Sequence, residues 1–271
     1  MTVDRRPLIS VLMAVYNCDR TVAQAIECIQ KQTYTNWELI VVDDCSTDTT
    51  FQTVKSIANT DDRIKLYRNR ENKTLAPSLN ICAMHASGDF FARMDGDDLC
   101  DYTRLEKEMQ VLLNHPEFEV VSCSLKFFDE NGEYGKILYK EYPQKEDFAK
   151  RSPICHAGCI IRRDVFEELN GYNESPEVER NEDYDLWIRL YDAGYKAYNL
   201  QEFLYSMRDD RDAVKRKKFK YRIIEYKLRK KACNLFHLSF KYRLYQYKPI
   251  ILGIMPLPLY LVLHKARQKN G

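Results

Sequence analysis

Apolar positions along the first hundred residues switch between two periods. Leu8 to Val15 (LISVLMAV) is a nearly continuous apolar run, which predicts a short strand buried on both faces. Val22, Ile26 and Ile29 follow at helical spacing. Glu38 to Val42 (ELIVV) predicts a second strand, ending at Asp43-Asp44. Ser46 is placed to cap a helix that carries Phe51, Val54 and Ala58 on one face. Ile64 to Tyr67 predicts a third strand, and Leu75, Leu79, Cys82 and Ala86 the inner face of a third helix. Gly88 breaks that helix, and Asp89 to Met94 (DFFARM) predicts a fourth strand.

This alternation predicts an α/β fold: a mainly parallel central sheet flanked by helices. Ligands of such sheets bind beyond the carboxyl ends of the strands. Those ends carry Tyr16-Asn17, Asp43-Asp44 and Asp95-Gly96-Asp97-Asp98, so three strands deliver polar groups to one edge. The second half is less regular. Leu105, Met109 and Leu112 mark a helix, with Asp101 placed to cap it. Phe118 to Phe128 predicts a strand, Asn131-Gly132 a turn, and Cys155 to Ile161 another strand. Tyr184, Ile188 and Tyr191 give helical spacing to Glu182–Tyr191.

Charge changes the picture only at the C-terminal end. The chain of 271 residues has 45% hydrophobic content, enough for a substantial core. Its 42 basic and 40 acidic residues give no overall signal for nucleic acid. From Arg211 to Lys231 (RDAVKRKKFKYRIIEYKLRKK), however, only Asp212 and Glu225 are acidic. A helix from about Asp212 to Phe236 would therefore present Lys215, Arg216, Lys217 and Lys218 among many bases, a face suited to an anionic surface. An aromatic and basic stretch, Phe236 to Lys248, comes next. The apolar segment Pro249 to Leu263 follows, then His264, Lys265 and Arg267. With three prolines, that segment falls short of the roughly 20 residues of a membrane span. We expect residues 211–271 to form a helical, membrane-associating tail that docks on the cytoplasmic face without crossing. The first ten residues contain no apolar signal core, which predicts no secretion. Nine scattered cysteines, an odd number, fit reduced thiols in the cytosol. Cys155-His156-Ala157-Gly158-Cys159 has the look of half a zinc site, but no second half is present.

Three constellations carry candidate chemistry. The carboxylates Asp95, Asp97 and Asp98 repel one another unless a cation neutralises them. Hard oxygen donors suit Mn2+ or Mg2+, which also bind phosphates. Asp43 and Asp44 could accept hydrogen bonds from a base or ribose, or simply cap the next helix. Asn181-Glu182-Asp183-Tyr184-Asp185-Leu186-Trp187 sets carboxylates at a helix start, where they either complement the dipole or supply a general base.

Taken together, ISVLMAVYN, VVDDCSTDTT, ARMDGDD and HAGCIIRRDVFEELNGYNE followed by NEDYDLWIRL resemble the family 2 glycosyltransferases, whose nucleotide-binding fold is called GT-A. The resemblance runs from Pro7 to about Arg208, and Cys45 stands where glycine is common. It implies a catalytic domain over 1–210, with a nucleotide half of about 1–100 and an acceptor half of about 101–210. It implies that Val15, Tyr16, Asn17, Asp43 and Asp44 meet a nucleotide-sugar donor. Lys73 is the nearest base to a position where some relatives use one. Asp97 would hold the metal, and Asp95 the metal or the ribose. Asp183 would be the catalytic base with Glu182 its neighbour, and Trp187 would pack near the sugar or support the base. His156 and Arg208 would face the acceptor or the diphosphate. The implied reaction is inverting transfer to a hydroxyl of a glycan or lipid-linked acceptor, of the bacterial surface-polysaccharide type. The alternatives are another sugar-nucleotide enzyme, such as a pyrophosphorylase, and an inactive membrane-bound scaffold. A dehydrogenase would need a glycine-rich turn where Val15-Tyr16-Asn17-Cys18 stands. Sugar, base, acceptor and oligomeric state stay open.

Overall fold

A computed structural model describes residues 6–208 and 219–255. The first half alternates as the periods predict: β1 (Ile9–Val15), α1 (Val22–Gln30), β2 (Trp37–Asp43), α2 (Thr50–Ala58), β3 (Ile64–Arg68), α3 (Leu75–His85) and β4 (Phe90–Arg93). The second half contains β5 (Leu99–Cys100), α4 (Arg104–Asn114), β6 (Val120–Asp129), β7 (Gly132–Ile137), β8 (Cys159–Arg162), α5 (Arg163–Glu168), α6 (Glu182–Asp192) and β9 (Ala197–Arg208). Three helices follow: α7 (Phe219–Leu235), α8 (Phe240–Arg243) and α9 (Lys248–Ile254).

One sheet runs in the order β3-β2-β1-β4-β8-β6-β9-β5, with β7 beside β6. β3, β2, β1 and β4 are mutually parallel where they pair. Beyond β4 the sheet is mixed: β8 runs antiparallel to β4 and β6, whereas β6 and β9 are parallel. The continuous apolar run of β1 has a direct cause. Ile9, Val11 and Met13 enter a core shared with Val22 and Ile26 of α1 and Leu105 of α4. Leu12 points the other way, into a core shared with Leu79 and Cys82 of α3. Both faces are covered, so no position can be polar cheaply.

Five sequence expectations change. β9 has no clean alternation, because Asn199, Gln201 and Glu202 interrupt it, and periodicity overlooks it. The strand expected over Cys155–Ile161 begins only at Cys159, although Cys155 and Ala157 are buried in the loop before it. Ser46 does not cap α2. Its Oγ accepts from the Asn17 N–H at 3.0 Å, while Asp48 Oδ1 takes the Thr50 N–H at 2.9 Å. Asp101 does not cap α4 either: the N-cap is Thr103, and Asp101 Oδ1 accepts the Thr103 N–H at 2.8 Å in the turn just before the helix.

The fifth change concerns α7, which is not a free tail. Leu228, Ala232 and Cys233 are buried in the same core as Leu186 and Trp187 of α6. Arg229, also buried, donates to the Ala149 carbonyl at 3.1 Å, and Lys231 pairs with Asp185 at 3.0 Å. The core therefore runs unbroken across the boundary that charge suggests at 210. Asp212, Lys215, Arg216, Lys217 and Lys218 lie outside the described residues, as do Leu263, His264, Lys265 and Arg267. All nine cysteines are free, and among the described residues no helix is long and apolar enough to cross a membrane.

Candidate active site

The ends of β1 and β2 are stitched together by their own polar residues. Asn17 sits in the left-handed region (φ 50°), and its Oδ1 accepts from the Thr47 N–H at 2.9 Å. Asp43 is fully buried; Arg68 Nε lies 3.0 Å from its Oδ2, and the Ser46 N–H 3.2 Å. Asp44 holds the next loop. Its Oδ1 accepts from Asn69 Nδ2 at 2.7 Å and from the Lys73 N–H at 2.8 Å, and its Oδ2 from the Thr74 N–H at 2.9 Å. Lys73 thus meets Asp44 through its backbone, with its side chain exposed. Directly after the two aspartates, Cys45 adopts φ 63°, a conformation that favours glycine.

The acidic loop after β4 is positioned from below. The guanidinium of buried Arg93 donates to the Leu12 carbonyl at 2.9 Å, to the Met94 carbonyl at 3.0 Å and to Asp95. At Gly96 a Cβ would stand 2.7 Å from Val15 Cγ1, so close approach to β1 requires glycine there. Asp98 is buried and accepts from Tyr205 OH at 2.9 Å and the Arg208 N–H at 2.7 Å. Burial, then the charges of Asp95 and Asp97, push its pKa well above the carboxylate range. Arg208 also donates from Nε to the Asp97 carbonyl at 2.9 Å, and its guanidinium lies 4.5 Å above the Phe128 ring.

Asp95 and Asp97 are hard oxygen donors, and Asp95 already pairs with the Arg93 guanidinium. Among the described residues, no group of three or more His, Cys, Asp or Glu side chains forms an all-protein cage. Two neighbouring carboxylates suit Mg2+ or Mn2+ that completes its shell with water and substrate phosphate.

The start of α6 supplies the remaining carboxylates. Burial, and secondly the Asp183 charge, push Glu182 up to about 7. Burial alone leads in raising Asp183, to about 6. His156 Nε2 lies 2.7 Å from Tyr172 OH, and burial drives its pKa well down, with Arg93 adding to the effect. Trp187 is fully buried behind α6, its ring 6.1 Å from that of His156.

A cavity of about 770 Å³ opens at this edge. Of the residues chosen from sequence, Val15, Tyr16, Asp44, Asp97 and Glu182 line it. Asn17, Asp43, Lys73, Asp95, Asp183, His156, Trp187 and Arg208 are not in its wall. One of them, Arg208, anchors a residue that is, through its bond to the Asp97 carbonyl. The far wall is the segment from Asn173 to Arg180, with a 3-10 turn at Pro176–Val178. Sequence reasoning missed that wall, along with Arg93 and Tyr205. Its only signal is a Glu-rich stretch around Pro176, just before Glu182.

Comparison with known proteins adds an independent line. The model of the family described as "Glycosyl transferase family 2" matches residues 10–170. EpsE of Bacillus subtilis (strain 168), classed as a glycosyltransferase, is 43% identical over 265 residues, covering 97% of this chain and 95% of its own. The UDP-Glc:alpha-D-GlcNAc-diphosphoundecaprenol beta-1,3-glucosyltransferase WfgD of Escherichia coli is 32% identical over 214 residues, covering 79% and 81%. Among solved structures, the mannosyltransferase PcManGT from Pyrobaculum calidifontis, in complex with GDP-Man and Mn2+, superposes with TM-score 0.64 over 97% of this chain and 80% of its own. At 18% identity that likeness concerns the fold.

Proposed function

This chain belongs to glycosyl transferase family 2, and on that premise we propose that it moves a sugar from a nucleotide-sugar donor to a hydroxyl of a glycan or lipid-linked acceptor, in surface-polysaccharide synthesis. One observation carries the reading: Asp44, Asp97 and Glu182, from three separate elements, line a single cavity. In this reading Tyr16 and the loop held by Asp44 bind the nucleotide, with buried Asp43 fixing the strand end. Asp97, with Asp95, would hold Mn2+ or Mg2+, which when bound withdraws charge from the leaving diphosphate. Arg93 fixes the orientation of Asp95, and Arg208 that of the Asp97 backbone. Asp183 takes the acceptor proton as the hydroxyl attacks, and a pKa near 6 suits a base working at neutral pH. A single displacement inverts the anomeric carbon. A pyrophosphorylase or an inert scaffold predicts no sugar transfer. A screen of nucleotide sugars with manganese, reading transfer and hydrolysis, decides the matter: no turnover with any donor would sink the proposal.

The C-terminal helices support a second part of the same reading, attachment to the cytoplasmic face of an anionic membrane. α8, a 3-10 turn at Leu244–Tyr247 and α9 follow one another directly. Phe240, Leu244, Tyr247, Ile251 and Ile254 are all exposed, and they recur at steps of four and three residues, so they share one face. No acidic residue follows Glu225 in the sequence. An apolar stripe flanked only by bases suits an anionic bilayer surface.

A further inference from the structure

The cavity wall is unusually one-sided in charge. Asp44, Asp97, Glu174, Glu179 and Glu182 line it, against the single base Arg180. A diphosphate entering such a wall is repelled unless cations meet it. Arg180 is placed for that role. It stands two residues before the start of α6 and holds a left-handed backbone (φ 60°) that a non-glycine residue rarely keeps. Glu179 would be its obvious partner, but both Glu179 oxygens are taken by α7. Lys220 Nζ lies 2.9 Å from Oε2, and Tyr221 OH donates to Oε1 at 3.0 Å. The Arg180 guanidinium instead lies over the Tyr221 ring, 5.3 Å from its centroid. Among the described residues its guanidinium makes no close ion pair or hydrogen bond, although its charge acts on Glu179 and Glu182, and the residue is part of the cavity wall.

We propose that Arg180 is a phosphate-recognising residue of this site, and that Tyr221 and Glu179 are positioning residues that hold it there. The planar fork of an arginine matches phosphate oxygens bidentately, which a lysine does not. With both Glu179 oxygens engaged by α7, that neighbour makes no hydrogen bond to the fork. The proposal rests on the transferase reading for its substrates. The phosphate could belong to the donor diphosphate or to a diphosphate-linked acceptor, since both present the same oxygens.

Calorimetry on the full chain with Mn2+ tests this through three probes: inorganic pyrophosphate, UDP or GDP, and a short prenyl diphosphate. Arg180→Ala should weaken pyrophosphate roughly ten- to a hundredfold, as expected for charge-assisted bonds. Arg180→Lys should fall between. Tyr221→Ala should weaken it less than Arg180→Ala does, and Tyr221→Phe should restore most of the loss because the ring platform remains. Alongside the pyrophosphate loss, a loss for UDP and GDP but not the prenyl diphosphate assigns the donor phosphates; the reverse assigns the acceptor. Circular dichroism checks that each variant is folded, and Arg180→Lys carries the test if Arg180→Ala is not. The proposal is overturned if folded variants bind all three probes as the wild type does, or if the wild type binds none. Arginine-dependent pyrophosphate binding without any sugar transfer would count against the transferase reading and leave the phosphate assignment standing.

Discussion

The Tyr205 hydroxyl donates to Asp98 at 2.9 Å while accepting the Asp95 N–H at 3.2 Å, so one phenol ties both ends of the acidic loop to β9. Tyr205→Phe keeps the ring and removes the tie. It leaves a buried carboxyl and a backbone donor short of a partner. We expect a stability loss of about 1–3 kcal/mol in urea denaturation and weaker binding of a nucleoside diphosphate with Mn2+. An unchanged midpoint would mean that the loop does not depend on this phenol.

Asp97→Asn removes one carboxylate charge from the proposed cation site. Metal and nucleoside diphosphate should weaken together, each failing to support the other. Calorimetry with and without manganese reads this directly. Binding that is metal-independent in both proteins would refute the assignment.

Asp183→Asn is nearly isosteric but cannot accept a proton. The rate should drop on the order of a hundredfold or more, with donor affinity largely kept. The pH profile supplies a second readout. A base must be deprotonated to act, so activity should fall as pH drops below about 6, the value to which burial raises this carboxyl. If the Asn variant transfers sugar at the wild-type rate, Asp183 is not the base and Glu182 is tested next.

Cys45 holds φ 63°, where an L side chain costs roughly 1–2 kcal/mol relative to glycine. Cys45→Gly should therefore stabilise the protein by about 1 kcal/mol without loss of activity. Denaturant midpoints of the two proteins make the comparison, and a destabilised variant would show that the Sγ contact with the Arg70 carbonyl at 3.7 Å outweighs the strain.

Membrane docking is tested by flotation with anionic liposomes. The intact chain should float and be released at high salt. Leu244→Glu with Ile251→Glu, both on the exposed stripe, should stay in the soluble fraction while keeping activity on a soluble acceptor. An intact chain that ignores anionic vesicles at low salt defeats the docking proposal.

Much of the parallel half was legible because β1 and β2 are buried on both faces, and burial leaves a continuous apolar run. The strand-end carboxylates were legible for the same reason: they follow such runs abruptly. Ser46 misled because a hydroxyl before a helix looks the same whether it caps the helix or accepts from Asn17 across the gap. β9 was invisible because Asn199, Gln201 and Glu202 break its alternation, although Asn199 is buried and donates to the Lys140 carbonyl at 2.7 Å. The wall from Asn173 to Arg180 has no period at all; only the fold brings it opposite Asp44. Trp187 looked like a ligand wall from its place one helical turn after Asp183, but the indole is fully buried in the core and is not in the cavity wall.

The burial of Leu228, Ala232 and Cys233 against α6 also sets an order of events during synthesis. The strands from β1 to β4 can pair once fewer than half of the residues have left the ribosome, since N-terminal parts fold first as they emerge. The acceptor-side core cannot close so early. Until α7 is made, the α6 surface around Leu186 and Trp187 stands open and sticky, and a nascent chain paused near residue 210 is a natural client for a chaperone. Ending the polypeptide there would leave that surface without the cover that Leu228, Ala232 and Cys233 give it.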